Sequence, residues 1–281
     1  MNIINTTMKN IQNEYLKLLE DIFYNGANKS DRTGTGTKSV FGKTIEHDMS
    51  LGFPILTSKK IFFNAARTEL LWILHGKTDL KYLEDNGVNY WRPDYIRSGR
   101  TDETLGPVYG KQWRDFNGVD QLKNIITDIS KEPNSRRLIV SAWAPHELND
   151  MVLPPCHYAF QIYINNGALD LIWMQRSADV FLGLPYDIVM YGLLLEMLAK
   201  GAGLKPGKLI GQLGDCHLYN NHLDQSSEYI KRKILKLPVL NLESGLHINI
   251  NNDIYIPNKR HIKLTDYNYL PAIKAELSVG K

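Results

Sequence analysis

The run Ile188–Lys200 (IVMYGLLLEMLAK) is apolar on nearly every side of a helical wheel. A helix of that kind has no face to give to water, so it must be enclosed by other elements. Its apolar core, Tyr191–Ala199, is interrupted by Glu196 and falls far short of the ~20 residues of a membrane span. The chain has the means to enclose it, with 281 residues of which 43% are hydrophobic and 22% charged. That length suits one large domain, 1–281, with no linker or repeat to divide it. Two cysteines, Cys156 and Cys216, cannot make a disulfide framework. A polar Met1–Asn13 does not resemble a signal peptide, and a net charge of +3 gives nucleic acid no electrostatic support. The expectation is a cytoplasmic enzyme or binding protein.

Other periodicities surround the buried helix. Ile11, Tyr15, Leu18, Leu19, Ile22 and Phe23 share a helical face that Asn25-Gly26 ends, and Asn64–His75 and Gln121–Lys131 predict two further helices. Leu138–Trp143, Ala159–Ile164 and Leu169–Met174 read as strands, the last two joined at Asn165-Asn166-Gly167. Leu246–Ile256 predicts a hairpin around Asn251-Asn252. Helices and hairpins without a regular βαβ rhythm predict an α+β fold on a mixed or mostly antiparallel sheet.

Several constellations could carry chemistry. Leu153-Pro154-Pro155-Cys156-His157 fixes a thiol beside an imidazole just before a strand. Free cysteine is often only a small buried hydrophobe, but a basic neighbourhood favours a nucleophile. Cys216-His217 repeats the pair, yet adjacent strand residues point to opposite faces, which argues against a metal site. Ser135-Arg136-Arg137, Gln175-Arg176-Ser177 and Asp31-Arg32-Thr33 set arginine beside hydroxyls, a pairing suited to a phosphate. Asp187 sits where it could cap the buried helix. Glu69 lies in a helix with little exposed face, and a carboxylate held there gains a raised pKa suited to proton transfer.

Six motifs then occur in a telling order: DRTGTGT, GPVYGKQWR, SRR, PPCH, QRSADVFLGLPYD and GDCHLYNNH. Together they resemble the thymidylate synthase superfamily of folate-dependent pyrimidine C5 transferases, over nearly the whole chain. The resemblance implies a large mixed sheet flanked by helices, in a homodimer whose sheets pack back to back. It implies that Cys156 adds to C6 of a pyrimidine deoxynucleotide, whose C5 then takes the one-carbon unit of 5,10-methylenetetrahydrofolate. Arg32, Arg176 and Ser177 would hold the 5′-phosphate, joined by Arg136 and Arg137 from the partner, and Arg176 would lower the thiol pKa. His217 and Tyr219 would bond the 3′-hydroxyl, while Glu69, Tyr109 and His157 would relay protons. Trp91, Leu153, Asp179, Leu182, Gly183, Tyr186 and Leu277 would contact the folate. No metal is implied.

One departure stands out. Thymidylate synthases have asparagine where this chain has Asp187, the residue that reads the pyrimidine edge. An ionised carboxylate would meet uracil O4 acceptor against acceptor, whereas the 4-amino group of cytosine donates. The same aspartate occurs in the family's deoxycytidylate hydroxymethylases, typically of phages. The tail extension Gly280-Lys281, and Arg92-Pro93-Asp94-Tyr95 after Trp91 where the family has a second tryptophan, suggest a wetter site. The expectation is therefore a dCMP 5-hydroxymethylase. A dCMP 5-methylase and a thymidylate synthase are the alternatives, and a non-catalytic nucleotide- or RNA-binding paralogue is one of another class.

Overall fold

The computed structural model describes residues 8–279. Along the chain these form α1 (Ile11–Asn25), β1 (Ala27–Lys29), β2 (Thr37–Asp48), α2 (Phe63–Leu74), α3 (Leu80–Asp85) and α4 (Arg92–Ser98). Then come α5 (Tyr109–Arg114), α6 (Gln121–Lys131), β3 (Ile139–Ser141), β4 (His157–Asn165), β5 (Ala168–Asp179) and α7 (Leu184–Gly201). The C-terminal part adds β6 (Lys205–Tyr219), α8 (Leu223–Ile230), β7 (Val239–Leu242), β8 (His247–Ile248), β9 (Ile254–Tyr255) and β10 (Ile262–Thr265).

Six strands make one mixed sheet in the order β1-β2-β6-β5-β4-β3. All neighbours are antiparallel except β5 and β6. The exception follows from α7: the chain leaves β5, crosses over in this helix, and returns as β6 alongside β5. A parallel neighbour requires a crossover of that kind. β4 and β5 form the expected hairpin, with Asn166 and Gly167 both at positive φ, as a tight two-residue turn demands. The α+β class with a large mixed sheet and flanking helices is the fold predicted from sequence.

The apolar helix lies where its composition sends it. Ile188, Val189, Leu193, Leu194, Leu195 and Met197 of α7 are fully buried, packed between the sheet and α2. α1 covers β2, and its Tyr15 hydroxyl donates to the carbonyl of Val180. The predicted bounds hold for α6 and nearly so for α1 and α2. α7, however, starts at Leu184 rather than Ile188, because Pro185 suits the first turn of a helix. Asp187 is consequently inside the first turn and is not its cap, a position held by Gly183 without any side-chain bond.

A true cap starts α6. The Asp120 side chain accepts from the Lys123 N–H at 2.9 Å and pairs with Arg114. Asp120→Ala should cost about 1–2 kcal/mol, read as a lower midpoint in denaturant with an unchanged slope. A midpoint equal to the parent's would mean that the cap and ion pair contribute nothing.

Candidate functional site

A cleft of about 760 Å³ opens where the ends of β5 and β6 meet the segment before β4 and the loop after β1. Each wall has a local cause. Asp31 accepts the N–H groups of Thr33 and Gly36, which rounds the loop and turns Arg32 into the cleft. The β5 end contributes Arg176, Ser177 and Asp179, and the β6 end His217 and Tyr219. Leu153 and Cys156 come from the proline-stiffened approach to β4. The register of β4 against β5 shifts between His157 and Ala159, directly after Cys156. Such a bulge re-aims the side chains next to it.

Cys156 is held on three sides. Its N–H donates to the Tyr109 hydroxyl at 3.0 Å, and its carbonyl accepts from the Arg176 N–H. The Arg176 guanidinium is anchored by the carbonyls of Pro155 (2.9 Å) and Pro154 (2.7 Å), which leaves Nη2 3.9 Å from the thiol sulfur. Burial raises the thiol pKa and Arg176 pulls it down, with burial the larger effect. Arg176 thus acts in the expected direction but is outweighed by burial: the cleft holds Cys156 as a thiol, and the arginine offsets part of the cost of ionising it.

Behind the thiol lies a network of buried and half-buried polar groups. Glu69, on α2, faces inward, accepting from Tyr90 (2.5 Å) and from the Trp91 indole (2.7 Å), and burial raises its pKa. The Tyr109 ring stacks on His157 at 4.2 Å between centroids. His157 Nδ1 lies 2.9 Å from the Tyr191 hydroxyl, and burial lowers the imidazole pKa to about 3, so the ring is neutral. Asp187 Oδ2 accepts from Gln175 Nε2 at 2.8 Å, while Oδ1 lies 3.9 Å from His157 Nε2. Burial raises the Asp187 pKa to about 7, the opposite of what a solvent-exposed helix residue shows.

A second cleft of about 740 Å³ lies between the segment after β2, the start of α7 and the C-terminal segment. Phe62, Leu182 and Tyr186 give it apolar walls. Lys59, only 4% exposed, donates to the Phe181 carbonyl above the Phe181 ring, and burial lowers its pKa to about 7. The C-terminal segment ties down across both clefts. The Glu276 carbonyl accepts from His222 Nε2 at 2.7 Å, and Arg32 Nη1 donates to the Val279 carbonyl at 3.3 Å.

The structure therefore gathers most of the residues singled out in the sequence. Arg32, Leu153, Cys156, Arg176, Ser177, Asp179, His217 and Tyr219 share the first cleft. Glu69, Trp91, Tyr109, His157 and Asp187 form the network behind it, and Leu182 and Tyr186 line the second. Gly183 begins α7, and Leu277 is exposed on the terminal segment. Arg136 and Arg137 lie exposed before β3, away from the cleft of their own chain. Gly280 and Lys281 lie outside the described residues. Tyr90, Gln175, Tyr191 and Lys59 were not anticipated. The signals were faint: Tyr191 follows Asp187 by one helical turn, and Gln175 adjoins Arg176. Among the described residues, no three His, Cys, Asp or Glu side chains are grouped to hold a metal ion. Cys216, on β6, is fully buried, while its neighbour His217 faces the cleft. No described helix is long and apolar enough to cross a membrane.

Comparisons with known proteins bear on the reaction. The sequence model of the family described as thymidylate synthase matches residues 13–279. A thymidylate synthase of Mycoplasma mobile is 44% identical over 95% of this chain and 99% of that protein. One from Francisella tularensis subsp. holarctica is 43% identical over the same shares. These relatives overturn the expectation of a dCMP 5-hydroxymethylase. That expectation rested chiefly on the charge of Asp187, with the tail extension and the missing second tryptophan as lesser supports, and the charge of an enclosed carboxyl is set by its surroundings.

Proposed function

The chain belongs to the thymidylate synthase family, and on that premise we propose that it methylates dUMP, with 5,10-methylenetetrahydrofolate as the one-carbon donor. The observation that carries this reading is the Cys156 thiol, 3.9 Å from the Arg176 guanidinium, at the base of a cleft walled by Arg32, Ser177, His217 and Tyr219. A nucleophile beside a phosphate-type cluster suits attack on the base of a nucleoside monophosphate.

The roles follow from position. Arg32, Arg176 and Ser177 bind the 5′-phosphate, and His217 and Tyr219 the sugar hydroxyl. Cys156 bonds to C6, the C5=C6 electron pair moves toward O4, and C5 becomes the carbon nucleophile. The thiol proton leaves to cleft water as the thiolate forms. Glu69 and Tyr109 are placed to move protons in the network behind the thiol, with neutral His157 between Tyr109 and Tyr191. Methylenetetrahydrofolate supplies the one-carbon unit and the reducing equivalents of the methyl product. The second cleft fits it: its apolar walls suit a flat heterocycle. Trp91, Leu153, Asp179, Leu182, Gly183, Tyr186 and Leu277 complete those contacts. Exposed Arg136 and Arg137 suit donation to the phosphate site of a partner protomer in a homodimer.

The test offers C5-tritiated dUMP and, separately, C5-tritiated dCMP with methylenetetrahydrofolate. Tritium release from dUMP with matching dihydrofolate absorbance is the expected result. Turnover of dCMP alone, or of neither nucleotide, would overturn this function.

A further inference from the structure

We propose that Asp187 reads uracil as a neutral carboxylic acid, accepting from N3–H with one oxygen and donating its O–H to O4 with the other. The inference rests on dUMP being the substrate. Uracil presents a donor at N3 and an acceptor at O4, so its reader must accept and donate side by side. A carboxamide does both, and so does a protonated carboxyl; a carboxylate only accepts.

Three features of the structure favour the acid form. The first is the company Asp187 keeps. Glu69 on α2, Asp179 at the end of β5, Tyr90 before α4, Tyr109 on α5, Cys156 before β4 and Tyr191 on α7 are the ionisable groups that interact with it. His157 on β4 is close, but neutral. None of these brings a positive charge, while Glu69 and Asp179 add negative ones. Arg176, which could have done so, is turned to Cys156 and the proline carbonyls.

The second feature is the orientation of Gln175. An indole N–H can only donate, and Trp173 Nε1 donates to Gln175 Oε1 at 3.0 Å. That bond settles which end of the amide is which. Gln175 Nε2 therefore faces Asp187 and donates to Oδ2 at 2.8 Å, using its other hydrogen on the Ser177 carbonyl at 3.1 Å. An amide donor on Oδ2 marks that oxygen as the carbonyl oxygen of the acid, with a lone pair left for N3–H.

The third feature concerns Oδ1. Its neighbour His157 Nε2, at 3.9 Å, is beyond hydrogen-bonding distance. Oδ1 is thus the oxygen that carries the proton and offers it to O4. A carboxyl kept neutral by its site so that it can donate a hydrogen bond is an established catalytic device. Gln175 is the positioning residue, and Trp173 holds Gln175.

The sign of the pH effect follows. Burial sets the Asp187 pKa at about 7, so the donor is present below that pH and lost above it. Ionisation leaves O4 facing a carboxylate, an unmet buried polar contact worth roughly ten- to a hundred-fold in affinity. Cys156 ionises in the other direction, becoming more nucleophilic as pH rises, so the raw profile mixes the two groups.

The experiment separates them by a ratio. kcat/KM for dUMP is measured from about pH 6 to about pH 9 in the full chain and in Asp187→Asn, whose amide cannot titrate. Cys156 is common to both; the Asp187 carboxylate raises the thiol pKa in the parent only, which deepens a fall in the ratio and cannot mask one. The ratio of parent to variant should fall about ten- to a hundred-fold across the range, with its bend at the Asp187 titration. A ratio flat with pH would overturn the inference and leave dUMP methylation standing. Failure of the parent to turn over dUMP at any pH would instead overturn the function itself. Infrared difference spectra on adding dUMP to the parent, with Asp187→Asn as the blank that subtracts the Glu69 carboxyl, provide a reading that needs no turnover. A protonated-carboxyl carbonyl band that shifts on dUMP binding at neutral pH is expected, and its absence would also overturn the inference.

Discussion

Cys156→Ala should lose turnover of dUMP by a factor on the order of 10⁴ or more, together with exchange of the C5 hydrogen. Both readouts depend on the bond from sulfur to C6, because that bond alone makes C5 a nucleophile. The structure allows the loss to be read cleanly. The polar contacts at this position are mostly made by the main chain: the N–H to Tyr109 and the carbonyl to Arg176. Alanine keeps both and gives up only the sulfur. The variant should therefore melt close to the parent and still bind dUMP, since the phosphate and sugar contacts come from Arg32, Arg176, Ser177, His217 and Tyr219. Retained tritium release in the variant would show that another group attacks C6.

Trp173→Ala should produce the largest loss of stability, about 3–5 kcal/mol, with a fall in melting temperature on the order of 10 °C. Trp173 is fully buried on β5 and lies flat against Tyr191 of α7, with ring centroids 5.4 Å apart and planes within 7°. It thus joins the sheet to the helix that crosses it. Gly211 on β6 leaves room for the indole, since a side-chain carbon there would lie 2.5 Å from the ring. Truncation opens a cavity at the junction of β5, β6 and α7. It also removes the bond that orients Gln175, so activity should fall further than stability explains. Trp173→Phe keeps most of the volume without the N–H, and should lose dUMP affinity while retaining most of the stability. A loss of less than about 1 kcal/mol in the alanine variant would mean that the stack carries little of the fold.

Residues with a clear period gave away their elements. α6 alternates four isoleucine and leucine positions with charge, and the hairpin at Asn166-Gly167 announces itself by turn chemistry. β2 and β6 were not legible, although they are central. β2 reads TKSVFGKTIEHD, and its inward positions include Thr37, Ser39 and His47, polar residues that are buried because each finds a partner or a neighbouring strand. β6 carries Gly207, Gly211 and Gly214, which look like breakers in a sequence. In the sheet they mark places where another chain segment comes too close for a side chain: the Trp173 ring at Gly211 and the Arg176 backbone at Gly214. The site was more legible than the sheet, since motifs name reactive side chains directly. Its protonation states were not. Whether Cys156 is thiol or thiolate, and Asp187 acid or carboxylate, depends on burial and on neighbours drawn from α2, α5, β4 and β5.

The order of strands in the sheet also fixes when this protein can finish folding. β6 is the strand that joins the N-terminal and C-terminal halves, with Thr37 of β2 opposite Tyr219 and Ala178 of β5 opposite Cys216. On a ribosome, β2 leaves the exit tunnel on the order of ten seconds before β6 has been made. Throughout that interval β2 has only the three residues of β1 to pair with, and one long edge stays open. Contacts so distant along the chain form slowly. Ribosome-bound chains ending before Lys205 should therefore be protease-sensitive and in need of a chaperone, and resistance should arrive in one step once Tyr219 has emerged.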